Sequence, residues 1–138
     1  MNVIFFNVDG VLNTKDTKLK IESESGKLDI GYSSGKAKRL NKIIKNTNSY
    51  AVLIGDWSND RKKRNLLSQK IRFVSKTNNI KQWLKDNDDI SIDKWIIIDN
   101  INNKDTYSED LLKYIIFCEE DGLTSQKAIQ IEGTLDEK

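Results

Sequence analysis

The sequence predicts an α/β protein in three layers, with a parallel sheet between two layers of helices. Short runs that are apolar throughout alternate with segments whose apolar residues recur at helical spacing. Fully apolar runs are typical of strands buried on both faces, as in parallel sheets. Such alternation fits right-handed βαβ crossovers. With 138 residues, we expect a single domain over residues 1–138.

The first apolar run of the chain is followed by a polar segment. The run 3–6 is apolar throughout and stops before Asp9-Gly10, which predicts the first and central strand. The following stretch is polar, and 18–21 with 27–30 can pair there as a small hairpin.

A helix and a second strand follow. Ser33 or Ser34 can cap a helix over about 35–46. The run 50–54 is again apolar and predicts the second strand. The apolar stripe predicted for the helix consists of Ala37, Leu40, Ile43 and Ile44.

The middle of the chain predicts two capped helices around a short strand. Ser58 is the expected cap of a polar helix that reaches about residue 69. Residues 71–74 are expected to form the third strand. Thr77 is then expected to cap a helix that ends near residue 85.

The last part of the chain predicts two more strands and a closing helix. The runs 95–98 and 114–118 are apolar and short enough to be strands. Thr124 or Ser125 can start the last helix. Its inward residues are expected to be Ala128, Ile129 and Ile131.

Composition excludes several chemistries. The chain has no histidine, so imidazole bases and histidine-ligated metals are absent. Its one cysteine, Cys118, lies in an apolar run and is expected to be buried. The net charge of +2 selects no partner class. Without a leader peptide or a run of transmembrane length, we expect a cytoplasmic protein with no membrane partner.

Polar side chains recur where the predicted strands end. Asn7 and Asp9 follow the first strand, Asp56 the second, Lys76 the third and Asp99 the fourth. Open α/β sheets place their binding sites at this edge, so we expect these side chains to converge.

Segment 3–13 resembles the first motif of the haloacid dehalogenase-like (HAD) phosphohydrolases, an apolar strand followed by Asp-x-Asp-Gly-Val-Leu-Asn. The first aspartate is replaced by Asn7. In that family the first aspartate attacks phosphorus, the second is the general acid/base, and Mg²⁺ bridges the site to the phosphate. The resemblance therefore places Asn7 at the nucleophile and Asp9 at the acid/base, with both as metal ligands.

The later HAD motifs are matched less closely. Gly55 stands where the phosphate-binding hydroxyl is expected, and Asp56 follows it. Lys76 resembles the basic residue that neutralises the phosphoryl group, with Lys81 as a weaker choice. Asp99 and Asn100 resemble the paired acids that help to hold Mg²⁺, although the second is an amide here.

Asp121-Gly122-Leu123-Thr124 is similar to the helix start of small HAD proteins found beside RNA-repair enzymes. The resemblance implies a three-layer Rossmannoid HAD-like fold with a minimal cap or none. It also implies a Mg²⁺-dependent phosphohydrolase, impaired because an amide is a poor nucleophile. Mg²⁺ binding should be weak or lost, since Asn7 and Asn100 replace anionic ligands.

Two functional hypotheses remain open on the sequence. One is a phosphohydrolase that Asn7 impairs, with a further possibility that Asp56 supplies the missing charge to a water-based reaction. The other is a pseudophosphatase that binds a phosphorylated small molecule, a nucleic-acid end or a protein. The basic cluster 61–64 could contact phosphates, although a solvent-exposed helix face accounts for these basic residues equally well.

Overall fold

The computed structural model describes residues 1–15 and 31–136, and within them five parallel strands form one sheet. The strands are β1 (Asn2–Phe6), β2 (Ser49–Leu53), β3 (Ser75–Lys76), β4 (Lys94–Asn100) and β5 (Ile115–Cys118). Their order across the sheet is β3-β2-β1-β4-β5. The prediction of a parallel sheet with the first strand at its centre is therefore confirmed.

Helices join the strands. The α-helices of the described residues are α1 (Ser34–Asn46), α2 (Arg61–Ser68), α3 (Ile80–Asp86) and α4 (Ser125–Asp136). Three 3-10 helices cover Asp56–Asn59, Ile101–Thr106 and Glu109–Tyr114. The last two occupy the β4–β5 connection, where the sequence predicted no regular element. The hairpin predicted for 18–21 and 27–30 lies outside the described residues.

The sheet is covered on both faces because strand side chains alternate between them. Ile4 and Phe6 of β1 belong to a core with residues of α1, α2 and α4. Val3 and Phe5 belong to a second core, against which α3 and the β4–β5 connection pack. The fold is thus a three-layer α/β Rossmannoid arrangement, and the chain's small size leaves room for little cap.

Two predicted helix caps were wrong. Ser58 is fully buried, and its hydroxyl donates to the Gly55 carbonyl at 2.5 Å. The cap of α2 is Asp60, whose carboxylate accepts from Lys63 N at 3.1 Å. The cap of α3 is Asn79 rather than Thr77. In both helices the N-cap is the aspartate or asparagine directly before the first helical residue. Ser33 caps α1 as predicted.

The third strand and the last helix also differ from prediction. Residues 71–74 are not a strand, since only Ser75–Lys76 pairs with β2. Ile71 is buried in the core without lying in the sheet, and this burial accounts for its apolar character. Ile129 is 72% exposed, whereas Ile131 and Leu135 are buried. The inner face of α4 therefore follows an i, i+4 spacing that leaves Ile129 outside.

The single cysteine lies in the hydrophobic core. Cys118 is fully buried at the end of β5. Burial raises the pKa of its thiol to about 11. A thiol with so high a pKa stays protonated and unreactive near neutral pH, as a core residue should.

No helix in the described ranges is both long and apolar enough to cross a membrane.

Candidate active site

A cavity of about 620 Å³ opens at the edge of the sheet where β1, β2 and β4 end. The residues proposed from sequence that line it are Asn7, Asp9, Gly55, Asp56, Lys81 and Asp99. The strand ends are held in register, because Asn7 N donates to Ile98 O and Ile54 N donates to Phe6 O, each at 3.0 Å. Parallel pairing therefore brings these side chains together.

The turn after β1 is held by Asn13, the last residue of the Asp-Gly-Val-Leu-Asn motif. Its amide oxygen accepts from Gly10 N at 3.0 Å, and its amide nitrogen donates to Asp9 Oδ1 at 3.0 Å and to Gly31 O at 2.8 Å. Asn13 is 2% exposed. The order of residue types in this motif therefore builds a hydrogen-bonded turn that places Asp9 at the cavity.

Both the oxygen and the nitrogen of the Asn7 carboxamide form hydrogen bonds. Its Oδ1 accepts from Val8 N at 2.9 Å, and its Nδ2 donates to Asp99 Oδ1 at 2.9 Å. Asn7 is 7% exposed. The group at the position predicted for the nucleophile is thus a neutral amide whose donor and acceptor already have partners within the protein.

Gly55 allows Asn7 to occupy this place. Its φ is 82° and its ψ −164°, a combination that is essentially restricted to glycine. A Cβ at residue 55 would lie 2.3 Å from Asn7 Oδ1. The side chain of Asn7 therefore fills space that any hydroxyl-bearing residue at 55 would need.

The carboxylate of Asp99 is 3% exposed and accepts hydrogen bonds at both oxygens. Oδ1 accepts from Asn7 Nδ2 at 2.9 Å, Asn100 N at 2.7 Å and Asn103 Nδ2 at 2.9 Å. Oδ2 accepts from the Tyr107 hydroxyl at 2.5 Å. Four neutral donors therefore compensate a charge that would otherwise be buried at high cost.

The Tyr107 hydroxyl acts only as a donor in this network. Burial, and then its hydrogen bond to Asp99, raise the pKa of the Tyr107 phenol well above its usual value. The sequence did not predict Tyr107 or Asn103 as site residues. Both lie in the β4–β5 connection, which has no apolar period to place them, so only the structure reveals them.

Asp9 is half-buried and more open to the cavity than Asp99. Its Oδ1 accepts from Asn13 Nδ2 at 3.0 Å and from Trp57 Nε1 at 3.1 Å. Trp57 is itself buried edge-on against Tyr32. The indole thus orients the carboxylate, a role that the sequence did not assign to Trp57.

Two predicted site residues lie elsewhere. Asn100 donates to Gly10 O at 3.0 Å and Glu119 O at 3.1 Å, and its oxygen accepts from Asn102 N at 2.9 Å. This amide braces two loops and does not line the cavity, contrary to its expected role as a metal ligand. Lys76 is exposed on the edge strand β3, and its Nζ donates to Ser58 O at 3.3 Å.

Lys81 lines the cavity, whereas Lys76 does not. It is exposed and forms a salt bridge with Asp110 at 2.6 Å. Asp56 lies at the cavity rim and is exposed. The cavity therefore holds three carboxylates and one lysine that already has an acidic partner.

HAD domains generally use Mg²⁺, and the donors present here do not fit that ion. Mg²⁺ takes oxygen ligands at about 2.0–2.1 Å in near-octahedral geometry. Both oxygens of Asp99 accept from neutral donors, and Asn7 Oδ1 is turned toward Val8 N. Among the residues that the structure describes, no cluster of three or more acidic or cysteine side chains is arranged to hold a metal.

Replacing Tyr107 by phenylalanine should test whether the network around Asp99 stabilises the fold. The change leaves a buried carboxylate oxygen without its donor, which we expect to lower the free energy of unfolding by about 1–3 kcal/mol. Urea unfolding followed by circular dichroism measures it. Tyr114→Phe is the matched control, because Tyr114 packs its ring on Trp95. Equal losses in both variants would contradict the prediction.

Comparison with known proteins agrees with the motifs. Residues 3–128 match the model of the family described as the HAD domain in Swiss Army Knife RNA repair proteins. No curated protein matches the chain, and no solved structure does. The match covers most of the chain, including every strand and the whole cavity edge. The chain therefore belongs to the family of HAD domains found in Swiss Army Knife RNA repair proteins.

Proposed function

We propose that this HAD domain does not transfer phosphoryl groups and acts as a binding module that engages a nucleic-acid end during RNA repair. The observation that carries the proposal is the hydrogen bond from Asn7 Nδ2 to Asp99 Oδ1 at 2.9 Å. It places a neutral amide at the position of the nucleophile, and this amide donates to the carboxylate at the position of a metal ligand. The chemistry of a HAD phosphatase needs a negative charge at both positions, and residue 7 lacks it.

The covalent route is closed on chemical grounds. A carboxylate attacks phosphorus because it carries a negative charge and an available lone pair. The amide oxygen of Asn7 is neutral and already accepts from Val8 N. An aspartyl-phosphate therefore cannot form at residue 7.

The charge of the cavity argues for a ligand with hydroxyl groups rather than a terminal phosphate. Asp9, Asp56 and Asp99 line it, and a phosphate dianion without a bound cation would be repelled by carboxylates. Carboxylates accept well from ribose hydroxyls, as in dinucleotide sites. The amides that can contact a base edge are Asn78, Asn79 and Asn103. A terminal nucleoside of a dephosphorylated strand suits this chemistry.

We predict no Mg²⁺-dependent turnover of 4-nitrophenyl phosphate or of short RNAs with 3′ or 5′ phosphates. Released phosphate is measured against the Asp9→Asn variant, which serves as the inactive control. Turnover that Asp9→Asn or Asp56→Asn abolishes would overturn the proposal and restore a hydrolase that works through water.

The same experiment has a binding arm. Nucleosides at millimolar concentration should raise the melting temperature, because a ligand that binds only the folded state stabilises it. Their monophosphates should raise it less. Asp9→Asn should remove the shift, and a stronger shift with monophosphates would show that the cavity still recognises phosphate.

A further inference from the structure

A second concave surface lies at the opposite end of the sheet from the cavity. It has a volume of about 780 Å³ and runs between the second half of α1, the start of β2 and the segment 68–74. It shares no lining residue with the cavity at the other edge. We refer to it as the basic groove, defined by its cationic residues Lys45, Lys70 and Arg72.

The groove concentrates positive charge in a chain that is nearly balanced overall. Its lining contains three cationic residues and no acidic one, although the chain has 23 basic and 21 acidic residues. Lys45, Lys70 and Arg72 are all exposed. The salt bridges found between described residues are Met1–Asp93 and Lys81–Asp110, so these cations are not neutralised by a described neighbour.

The rest of the lining suits bases and sugars. Val74 is 58% exposed, and Tyr50 also lines the groove, half-buried where it packs against the second core. Asn41 and Gln69 add amide groups, and Asn41 Nδ2 donates to Lys70 O, which fixes the segment to α1. Aromatic and apolar surface next to cations is the combination by which proteins hold single-stranded nucleic acid.

We propose that the basic groove binds a single-stranded segment of RNA, with Lys45, Lys70 and Arg72 on the phosphates and Tyr50 against a base. A concave surface of this kind follows a strand better than it follows a flat membrane. The inference does not depend on what the cavity binds, since the two surfaces lie at opposite ends of the strands.

The test uses a fluorescein-labelled single-stranded RNA of about ten nucleotides and measures polarisation over a range of salt concentrations. The triple variant Lys45→Gln, Lys70→Gln, Arg72→Gln should weaken binding about tenfold or more and flatten the slope of log K against log salt by about two. The matched control is Lys85→Gln, Lys104→Gln, Lys113→Gln, which removes the same charge from exposed positions elsewhere. It should change affinity by less than about threefold.

Several results would overturn the inference. One is a parent protein that does not bind the labelled RNA at low salt. Another is equal weakening of binding in both triple variants, which would indicate net charge alone. Binding to anionic lipid vesicles with the same dependence on the groove would make a membrane surface the occupant. Cross-linking of 4-thiouridine RNA to the unaltered protein gives an independent readout: Tyr50 is the expected site, and cross-links confined to the cavity would contradict the groove.

Discussion

Replacing Asn7 by aspartate should destabilise the protein in the absence of a divalent cation. Nδ2 of Asn7 donates to Asp99 Oδ1 at 2.9 Å, and an aspartate would put a second carboxylate oxygen at that distance. Two buried carboxylates this close repel each other, and Asp99 loses one of its donors. The change should lower the free energy of unfolding by about 3 kcal/mol, the cost of an uncompensated buried charge.

Mg²⁺ should reverse this loss, because a cation between the two carboxylates replaces repulsion with attraction. Thermal melting of Asn7→Asp with increasing Mg²⁺ should therefore show a rising midpoint, whereas the parent should show none. Asn65→Asp adds the same charge at an exposed position of α2 and serves as the control. If Asn7→Asp matches this control in stability and in Mg²⁺ response, residue 7 is not at the nucleophile position.

Turnover in this variant tests whether Asn7 is the only defect of the site. If Asn7 is the only defect, the single change should raise phosphatase activity by orders of magnitude, because nucleophile and metal ligand return together. We expect Mg²⁺ binding to recover more than the rate. Gly55 still offers no hydroxyl to the phosphate, which limits the rate and leaves the carboxylates of residues 7 and 99 free to attract the cation.

The parts of the fold that sequence predicts well are those set by local burial. The apolar runs at 3–6, 50–54 and 95–98 each became strands because a parallel sheet buries both faces of a strand. The apolar run at residues 71–74 gave a wrong strand prediction, because burial alone does not distinguish a strand from another buried segment. Ile71 is as buried as a strand residue, but it follows α2 and packs into the core.

The site was only partly visible in the sequence for a different reason. Asp9 and Asp99 follow strands, so their place at the sheet edge could be predicted from topology. The partners that decide what these carboxylates do lie in the connections that follow β2 and β4. Trp57, Asn103 and Tyr107 reach them through side-chain directions that no periodicity encodes. The sequence therefore locates the edge of the sheet that holds the site. The structure shows that neutral groups donate hydrogen bonds to the carboxylates of Asp9 and Asp99 there.

Gly55→Ala should be among the most destabilising single changes at the site, although it adds only a methyl group. The added Cβ would lie 2.3 Å from Asn7 Oδ1, and the backbone at φ 82° and ψ −164° is strained for any residue with a side chain. Backbone strain of this kind costs about 1–3 kcal/mol. Displacing Asn7 also weakens its bond to Asp99, so the total loss should reach about 3–4 kcal/mol.

A double-mutant cycle separates the clash from the strain. In an Asn7→Ala background the oxygen that the new Cβ meets is gone, so Gly55→Ala should cost only the backbone part, about 1–3 kcal/mol. The difference between the two costs, about 1–2 kcal/mol, is the coupling between residues 55 and 7. Urea unfolding of the four proteins measures it, with Gly133→Ala as the control because a Cβ there meets nothing within 4 Å. Additive costs would mean that Asn7 does not occupy the space beside Gly55. A coupling of the expected size would show that Asn7 in its present position leaves no room for a hydroxyl-bearing side chain at residue 55.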